Sequence, residues 1–187
     1  SSFPVVHNIH KNNILDTTIV PAGINKTVEA NARSIAENVV KSLKGVGIFG
    51  IEMFLENNKL MINEIAPRPH NSGHYSIEAC SVSQFELHIR AILGLPLVIP
   101  RLLSPAVMTN ILGMPNYTGN YSITGIDKAF AVPGMKLHLY GKRITKPQRK
   151  LGHFTITAES TQEALSRARR VRKLLKVGKL RGNKKEE

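Results

Sequence analysis

The stretch Gly47–His74, GIFGIEMFLENNKLMINEIAPRPHNSGH, decides the fold of this chain of 187 residues. It contains two apolar runs, Ile48–Leu55 and Leu60–Ile65, which are separated by the turn-prone residues Glu56–Lys59. Apolar runs of strand length on either side of a short polar turn are typical of a β-hairpin. We therefore predict an antiparallel hairpin here and work outward from it.

Each predicted strand carries one carboxylate among its apolar residues, Glu52 in the first and Glu64 in the second. A three-residue loop, Asn57–Lys59, would place these glutamates directly opposite each other. Opposed negative charges destabilise a sheet unless something neutralises them. Mg²⁺ would do so, because it binds carboxylate oxygens together with phosphate oxygens and water. The same register predicts the pairs Ile51 with Ile65, Met53 with Asn63, Phe54 with Ile62 and Leu55 with Met61.

The hairpin alone leaves two interpretations open. Glu52 and Glu64 form a metal site, or they are unrelated side chains on a solvated hairpin edge. Asn63 precedes Glu64 and could add a carbonyl oxygen to a metal site only through a local bend, because on a regular strand it points to the other face.

A polar loop, Ala66–His74, follows the second strand, and its two prolines exclude helix and sheet pairing there. Arg68 offers a planar fork of donors suited to a phosphate or a carboxylate. His70 and His74 can donate, accept or titrate near neutral pH. Each histidine taken singly is more often an ordinary loop residue, but the combination with Arg68 and two carboxylates indicates a catalytic site.

The residues from Asn63 to His74, NEIAPRPHNSGH, and the later string S-x-S-Q-F-E-L-H-x-R-A-I-L-G-L-P-L carry a resemblance. They resemble the carboxyaminoimidazole ribonucleotide synthetase family of purine biosynthesis, whose members are ATP-grasp ligases. A similar module forms the first part of the bifunctional phosphoribosylaminoimidazole carboxylase of fungi. The similarity runs from about Phe3 to about Leu175, and the HNSGH ending distinguishes this family from other ATP-grasp enzymes.

The resemblance implies an α+β fold in three parts. Residues 1–98 would be the C-terminal portion of an ATP-grasp domain, an antiparallel sheet with covering helices. Residues 99–175 would form a small α/β domain that binds the substrate phosphate. Residues 176–187 are rich in charge and low in bulky apolar residues, so they are predicted to be a basic disordered tail or linker.

The resemblance also assigns roles around the hairpin. Glu52 and Glu64 would hold Mg²⁺ on the phosphates of ATP, and Asn63 with Glu64 would contact the nucleotide. Arg68 would stabilise the transferring phosphoryl group or carboxyphosphate.

Further roles fall on the loop and on a later basic segment. His70 and His74 would shape the acceptor pocket, one of them handling a proton, and Asn71 and Ser72 would bind the substrate. In the segment Tyr140–His153, the resemblance implies that Lys142 and Arg149 hold the 5′-phosphate of the ribonucleotide. A solvated basic turn is the alternative for that segment.

The implied reaction consumes ATP and bicarbonate to form carboxyphosphate, whose carboxyl group then passes to the amine of aminoimidazole ribonucleotide, leaving ADP and phosphate. The ligase would also need a preceding portion with the other half of the nucleotide clamp. We therefore expect a fragment that does not turn over in isolation, and the resemblance leaves a homodimer open. A different ATP-grasp ligase, such as a formate-dependent glycinamide ribonucleotide transformylase, is the main alternative.

Composition limits other functions. The chain has no apolar run of about 20 residues that would predict a membrane helix, and one cysteine, Cys80, excludes an internal disulfide and favours a cytoplasmic location. The net charge of +13 is concentrated near the C-terminus, since residues 142–187 hold 15 Lys and Arg against 4 Glu. A nucleic-acid-binding tail would explain that charge, but no aromatic residues interleave it, so this function ranks low.

Helix caps mark the remaining elements. Asn25 or Thr27 begins a helix that Gly45 ends, and capping boxes at Ser83–Glu86 and Ser160–Glu163 begin two more. The predicted buried face of the second helix comprises Phe85, Ile89, Ile92 and Leu93. Strands are predicted at Pro4–Ile9, Ile14–Val20, Ala106–Leu112, Lys136–Tyr140 and Leu151–Thr157.

Overall fold

Strands and helices alternate along residues 1–180, which are the residues that this computed structural model describes. The strands are β1 (His7–Lys11), β2 (Ile14–Val20), β3 (Gly50–Glu56), β4 (Lys59–Ala66), β5 (Ala106–Leu112), β6 (Gly119–Thr124), β7 (Met135–Leu139), β8 (Ile144–Thr145), β9 (Lys150–Thr157) and β10 (Lys176–Lys179). The helices are α1 (Lys26–Leu43), α2 (Ser76–Ala79), α3 (Gln84–Ile92), α4 (Ile126–Phe130) and α5 (Thr161–Leu174). A 3₁₀ turn covers Asn71–Gly73. The antiparallel sheets and covering helices confirm the predicted α+β class.

The central sheet has five strands in the order β1-β2-β5-β9-β7, and all its neighbours are antiparallel. The pairing of β2 with β5 aligns Thr17 with Thr109 and so joins segments from both sides of the predicted boundary at residue 98. The two portions therefore share one sheet, while the boundary itself stays a prediction about chain organisation. A second sheet has the order β10-β6-β8, and β3 and β4 form a separate hairpin.

Strand β5 is buried on both faces, which places it at the centre of the structure. Because successive strand residues point to opposite faces, Val107 packs in one cluster and Met108 in another. The first cluster is roofed by α5 through Ala164, Ala168 and Val171. The second includes Leu15, Val20, Tyr75, Ala79 and Cys80, so the cysteine is a packing residue as predicted.

The β3–β4 hairpin confirms the opposition of Glu52 and Glu64 but reaches it by a different route. Its loop has two residues, Asn57 and Asn58, both with positive φ, rather than the predicted three. Such loops match the twist of the strands, and asparagine tolerates positive φ. A bulge at Asn63 then restores the register at the glutamates. The pairing of Ile51 with Ile65 was correct, whereas Met53 faces Ile62, Phe54 faces Met61 and Leu55 faces Leu60.

All three predicted helix starts are confirmed, since Asn25, Ser83 and Ser160 each cap a helix by accepting a backbone N–H. The first helix ends one residue earlier than predicted, at Lys44, which adopts the left-handed conformation.

The predicted buried face of α3 is wrong. Gln84 and Leu87 are the buried residues of this helix. The apolar stripe is between 41% and 64% exposed and comprises Phe85, Ile89, Ile92 and Leu93. The helix turns its polar edge inward because Gln84 bonds to the loop before it.

The prediction of a disordered tail from residue 176 is wrong for Lys176–Lys179, which pair with β6 as strand β10. Val177 packs against the main core cluster and provides the apolar anchor that composition concealed. The ammonium group of Lys179 lies 4.9 Å from the ring centre of Tyr117, a cation–π contact. Residues 181–187 lie outside the described residues.

None of the helices in residues 1–180 has both the length and the apolar character needed to cross a bilayer. The cytoplasmic location stays a prediction.

Candidate active site

A cleft of about 390 Å³ opens where the base of the β3–β4 hairpin meets β1, β2 and the start of β9. Five elements supply its polar walls, so the fold brings together side chains that are far apart in sequence. These include His10, Glu52, Glu64, His70, Asn71 and Lys150.

Glu52 is the central acid of the cleft, and its side chain is only 12% exposed. One carboxylate oxygen, Oε1, lies 3.9 Å from His70 Nδ1 and 3.9 Å from His10 Nε2. Glu64 faces it from the neighbouring strand. Two carboxylates thus stand beside two imidazoles and the ammonium group of Lys150.

The basic groups of the cleft are shifted toward their neutral forms. Burial lowers the pKa of His70, with Arg68 and Lys150 adding to the effect and the two glutamates opposing it. Burial also lowers the pKa of Lys150, together with Arg68 and against the same glutamates. His70 is therefore a neutral imidazole at pH 7 and can accept a proton.

The loop residues predicted to bind substrate are held by other side chains. Ser72 Oγ lies 2.8 Å from His70 Nδ1. The side-chain amide of Asn71 exchanges two hydrogen bonds with that of Asn110 on β5, at 2.6 and 3.1 Å. Asn110 also donates to the carbonyl of Leu15 at 2.7 Å. The central sheet therefore fixes the loop that carries His70.

His74 lies behind the loop and does not line the cleft. Its ring stacks on Phe85 at 5.5 Å and lies 4.8 Å from the ring of His153. Burial is the main reason that the pKa of His74 falls to about 4, and the neighbouring His138, His70 and Lys150 lower it further. His74 is therefore neutral over the physiological range.

Other predicted site residues do not line the cleft. Arg68 is exposed and donates to the carbonyl of Pro69 at 3.1 Å. Arg149 donates to the carbonyl of Ile144 at 3.1 Å, and Lys142 is exposed. Asn63 occupies the bulge, a feature that re-aims side chains and supplies the local bend that metal binding by this residue would need. The roles of these residues stay predictions.

Sequence reasoning missed four residues of the site: His10, Lys150, Gln84 and Asn110. Lys150 had a signal, because it adjoins the predicted Arg149 and begins a strand. Adjacent strand residues point to opposite faces, so only one of the two basic residues can face the cleft. Gln84 and Asn110 had none, because their partners are distant in sequence.

The donor set fits Mg²⁺. Opposed carboxylates provide hard oxygen ligands, and phosphate oxygens and water commonly complete the shell of this ion. No group of three His, Cys, Asp or Glu side chains in residues 1–180 has the arrangement of a metal site. The protein would therefore contribute two carboxylates, and the substrate would contribute the rest.

A larger groove of about 650 Å³ lies between α1 and the turn of the β3–β4 hairpin. Its ionisable side chains are Glu56 and Lys59, which pair across the hairpin end. Because it holds none of the predicted site residues, the smaller cleft is the candidate active site.

Two family models match this chain. The model of the ATP-grasp domain matches residues 1–85, and that of the phosphoribosylaminoimidazole carboxylase C-terminal domain matches residues 106–167. The two matches flank the proline-containing connector at which the domain boundary is predicted.

Individual relatives point the same way. The phosphoribosylaminoimidazole carboxylase of Saccharomyces cerevisiae is 46% identical over 172 residues, which are 89% of this chain and 30% of the yeast protein. The crystal structure of N5-carboxyaminoimidazole ribonucleotide synthetase from Thermotoga maritima matches with a TM-score of 0.87 and 51% identity, over 95% of this chain and 48% of that one. The N5-carboxyaminoimidazole synthase of Aspergillus clavatus, in complex with ADP and 5-aminoimidazole ribonucleotide, gives a TM-score of 0.82 and 35% identity, over 91% and 46%.

Fold and cleft together define a protein of the ATP-grasp class. Within that class, the chain belongs to the carboxyaminoimidazole ribonucleotide synthetase family, as the NEIAPRPHNSGH motif predicted. The chain spans between 30% and 48% of the length of the three relatives described above.

Proposed function

We propose that this chain supplies the carboxylate-bearing part of the active site of an ATP-dependent ligase of purine biosynthesis. The substrates are aminoimidazole ribonucleotide and bicarbonate, and the products include ADP and phosphate. One observation carries the proposal: Glu52 and Glu64 oppose each other in the same cleft as His70 and Lys150. A solvated hairpin edge would not surround the glutamates with partly buried basic groups.

The reaction has two steps. Transfer of the γ-phosphoryl group of ATP to bicarbonate forms carboxyphosphate and ADP. The amine of aminoimidazole ribonucleotide then attacks the carboxyl carbon, phosphate leaves, and the nitrogen loses a proton. Proteins promote such steps mainly by positioning and charge neutralisation.

The cleft residues divide these tasks. Mg²⁺ held by Glu52 and Glu64, with Asn63 at the bulge, would neutralise charge on the phosphates of ATP. Lys150 provides a cation beside the carboxylates for the bicarbonate-derived group. His70, a neutral imidazole fixed by its loop, is placed to accept the proton of the attacking amine.

A chimaeric enzyme provides the test. This chain would replace the matching part of the Thermotoga maritima synthetase, to which it is 51% identical. We expect ADP release that requires both aminoimidazole ribonucleotide and bicarbonate. ADP release that requires formate and glycinamide ribonucleotide would instead favour the alternative ligase.

Variants of the chimaera test the carboxylate pair. Glu52→Gln and Glu64→Gln should each lower kcat/KM about 100-fold or more, by analogy with the loss of one charge-stabilising group elsewhere. Glu56→Gln is the matched control, because Glu56 lies on the same hairpin at its exposed end. Equal activity of all three variants would contradict the proposed role of the pair.

A further inference from the structure

Gln84 is a polar side chain that is only 2% exposed, at the first position of α3. Its amide makes three hydrogen bonds to the loop that carries the candidate histidines. The oxygen Oε1 accepts from the backbone N–H of His70 at 2.8 Å. The nitrogen Nε2 donates to the carbonyl of His70 at 2.8 Å and lies 2.8 Å from Nδ1 of His74.

The orientation of this amide is determined by the backbone of His70. A backbone N–H can only donate and a carbonyl can only accept. A flipped amide would set N–H against N–H and oxygen against oxygen, at the cost of two buried hydrogen bonds. Nε2 of Gln84 therefore faces the carbonyl of His70 and the ring of His74.

The state of His74 follows from that orientation. Nε2 of Gln84 has no lone pair to offer, so Nδ1 of His74 must accept the second amide hydrogen. An imidazole that accepts at Nδ1 is neutral and carries its proton on Nε2. Adding a proton at Nδ1 would oppose two N–H groups in a buried site.

We propose that Gln84 is the positioning residue of this site: its amide fixes the backbone at His70 and holds His74 as a neutral hydrogen-bond donor with its proton on Nε2. His74 is then a fixed donor rather than a proton carrier, which leaves His70 as the proton acceptor. The clamp also accounts for Gly73, since a Cβ there would lie 2.5 Å from Oε1 of Gln84.

The surroundings of His74 act in the same direction. His153 on β9 and His138 on β7 are basic neighbours, and Tyr140 presents its ring edge at 6.4 Å. Lys150 and His70 add positive charge. Glu78 on α2 is the carboxylate nearest this stack, and it is engaged with Nε2 of His138 at 2.6 Å.

The inference deepens the proposed function, on which the meaning of the two histidines rests, but its test does not need turnover. The measurement is ¹⁵N NMR of the imidazole rings of the 187-residue chain, with His74 assigned by the loss of its signals in His74→Gln. We expect the Nε2–H tautomer at pH 7 and a scalar coupling across the hydrogen bond between Gln84 Nε2 and His74 Nδ1. The Nδ1–H tautomer, an imidazolium at pH 7, or absence of the coupling would each overturn the proposal. The chimaera could still be an active ligase in that event.

Two variants separate the clamp from burial alone. Gln84→Met keeps the length of the side chain but removes the donor, so the protonation constant of His74 should rise about tenfold. Gln162→Met changes an exposed glutamine on α5 and should leave it unchanged. An unchanged titration midpoint in Gln84→Met would overturn the proposal. If that variant does not fold, the coupling in the unmodified chain decides.

Discussion

Asn110 joins the central sheet to the active-site loop, and replacing it tests how much that connection contributes. Asn110→Leu preserves the approximate size of the side chain but removes three hydrogen bonds, one to Leu15 and two with Asn71. At about 1 kcal/mol per hydrogen bond, the free energy of unfolding should fall by about 3 kcal/mol. For a chain of this length, that corresponds to a fall in Tm of about 6–12 °C.

The assay is urea unfolding followed by circular dichroism, with thermal unfolding as a second measure. Asn120→Leu is the matched control, because Asn120 is an exposed strand residue on β6. A double-mutant cycle with Asn71→Ala should give a coupling of about 1–2 kcal/mol, since the two amides bond to each other directly. A loss equal to that of Asn120→Leu, or zero coupling, would refute the reasoning.

Two further predictions concern stability. Burial alone would raise the pKa of Asp16, but hydrogen bonds from Arg172 and Thr17 outweigh it and hold this pKa below the ordinary value. A lowered folded-state pKa stabilises above the unfolded value and is lost as pH falls, so Asp16→Asn should cost about 1 kcal/mol at pH 7 and little near pH 3 in denaturant titrations. Gly134→Ala should cost several times more than Gly23→Ala in the same assay. Both glycines have φ near +70°, but a Cβ meets a carbonyl oxygen at 2.0 Å only at Gly134.

The opposition of Glu52 and Glu64 could be predicted, although the predicted route was wrong. The two-residue loop shifts the pairing by one position, and the bulge at Asn63 shifts it back. The loop had a local signal, since consecutive asparagines suit positive φ. The bulge had none that sequence reasoning could use, because its position depends on how the strands pack against the loop and β9.

Elements with local signals were predicted well. Asn25, Ser83 and Ser160 mark helix starts through contacts within one turn. The face that α3 buries was predicted wrongly because periodicity reports apolar residues and not the partner that a helix meets. The three hydrogen bonds of Gln84 connect residues 10 to 14 positions away, beyond the reach of a pattern within the helix.

The hydrogen bonds of the loop change what can reach a substrate. Asn71 bonds to Asn110, Ser72 bonds to His70, and His74 bonds to Gln84, so these polar groups stabilise the loop. The groups left facing the cleft are the opposed carboxylates, one imidazole of the loop and the ammonium group of Lys150. Because ordering a loop costs conformational entropy, a loop ordered before the substrate arrives spends less binding energy on positioning. The HNSGH motif therefore acts mainly by holding His70 in place, and chemical change at the substrate is left to the few side chains of the cleft.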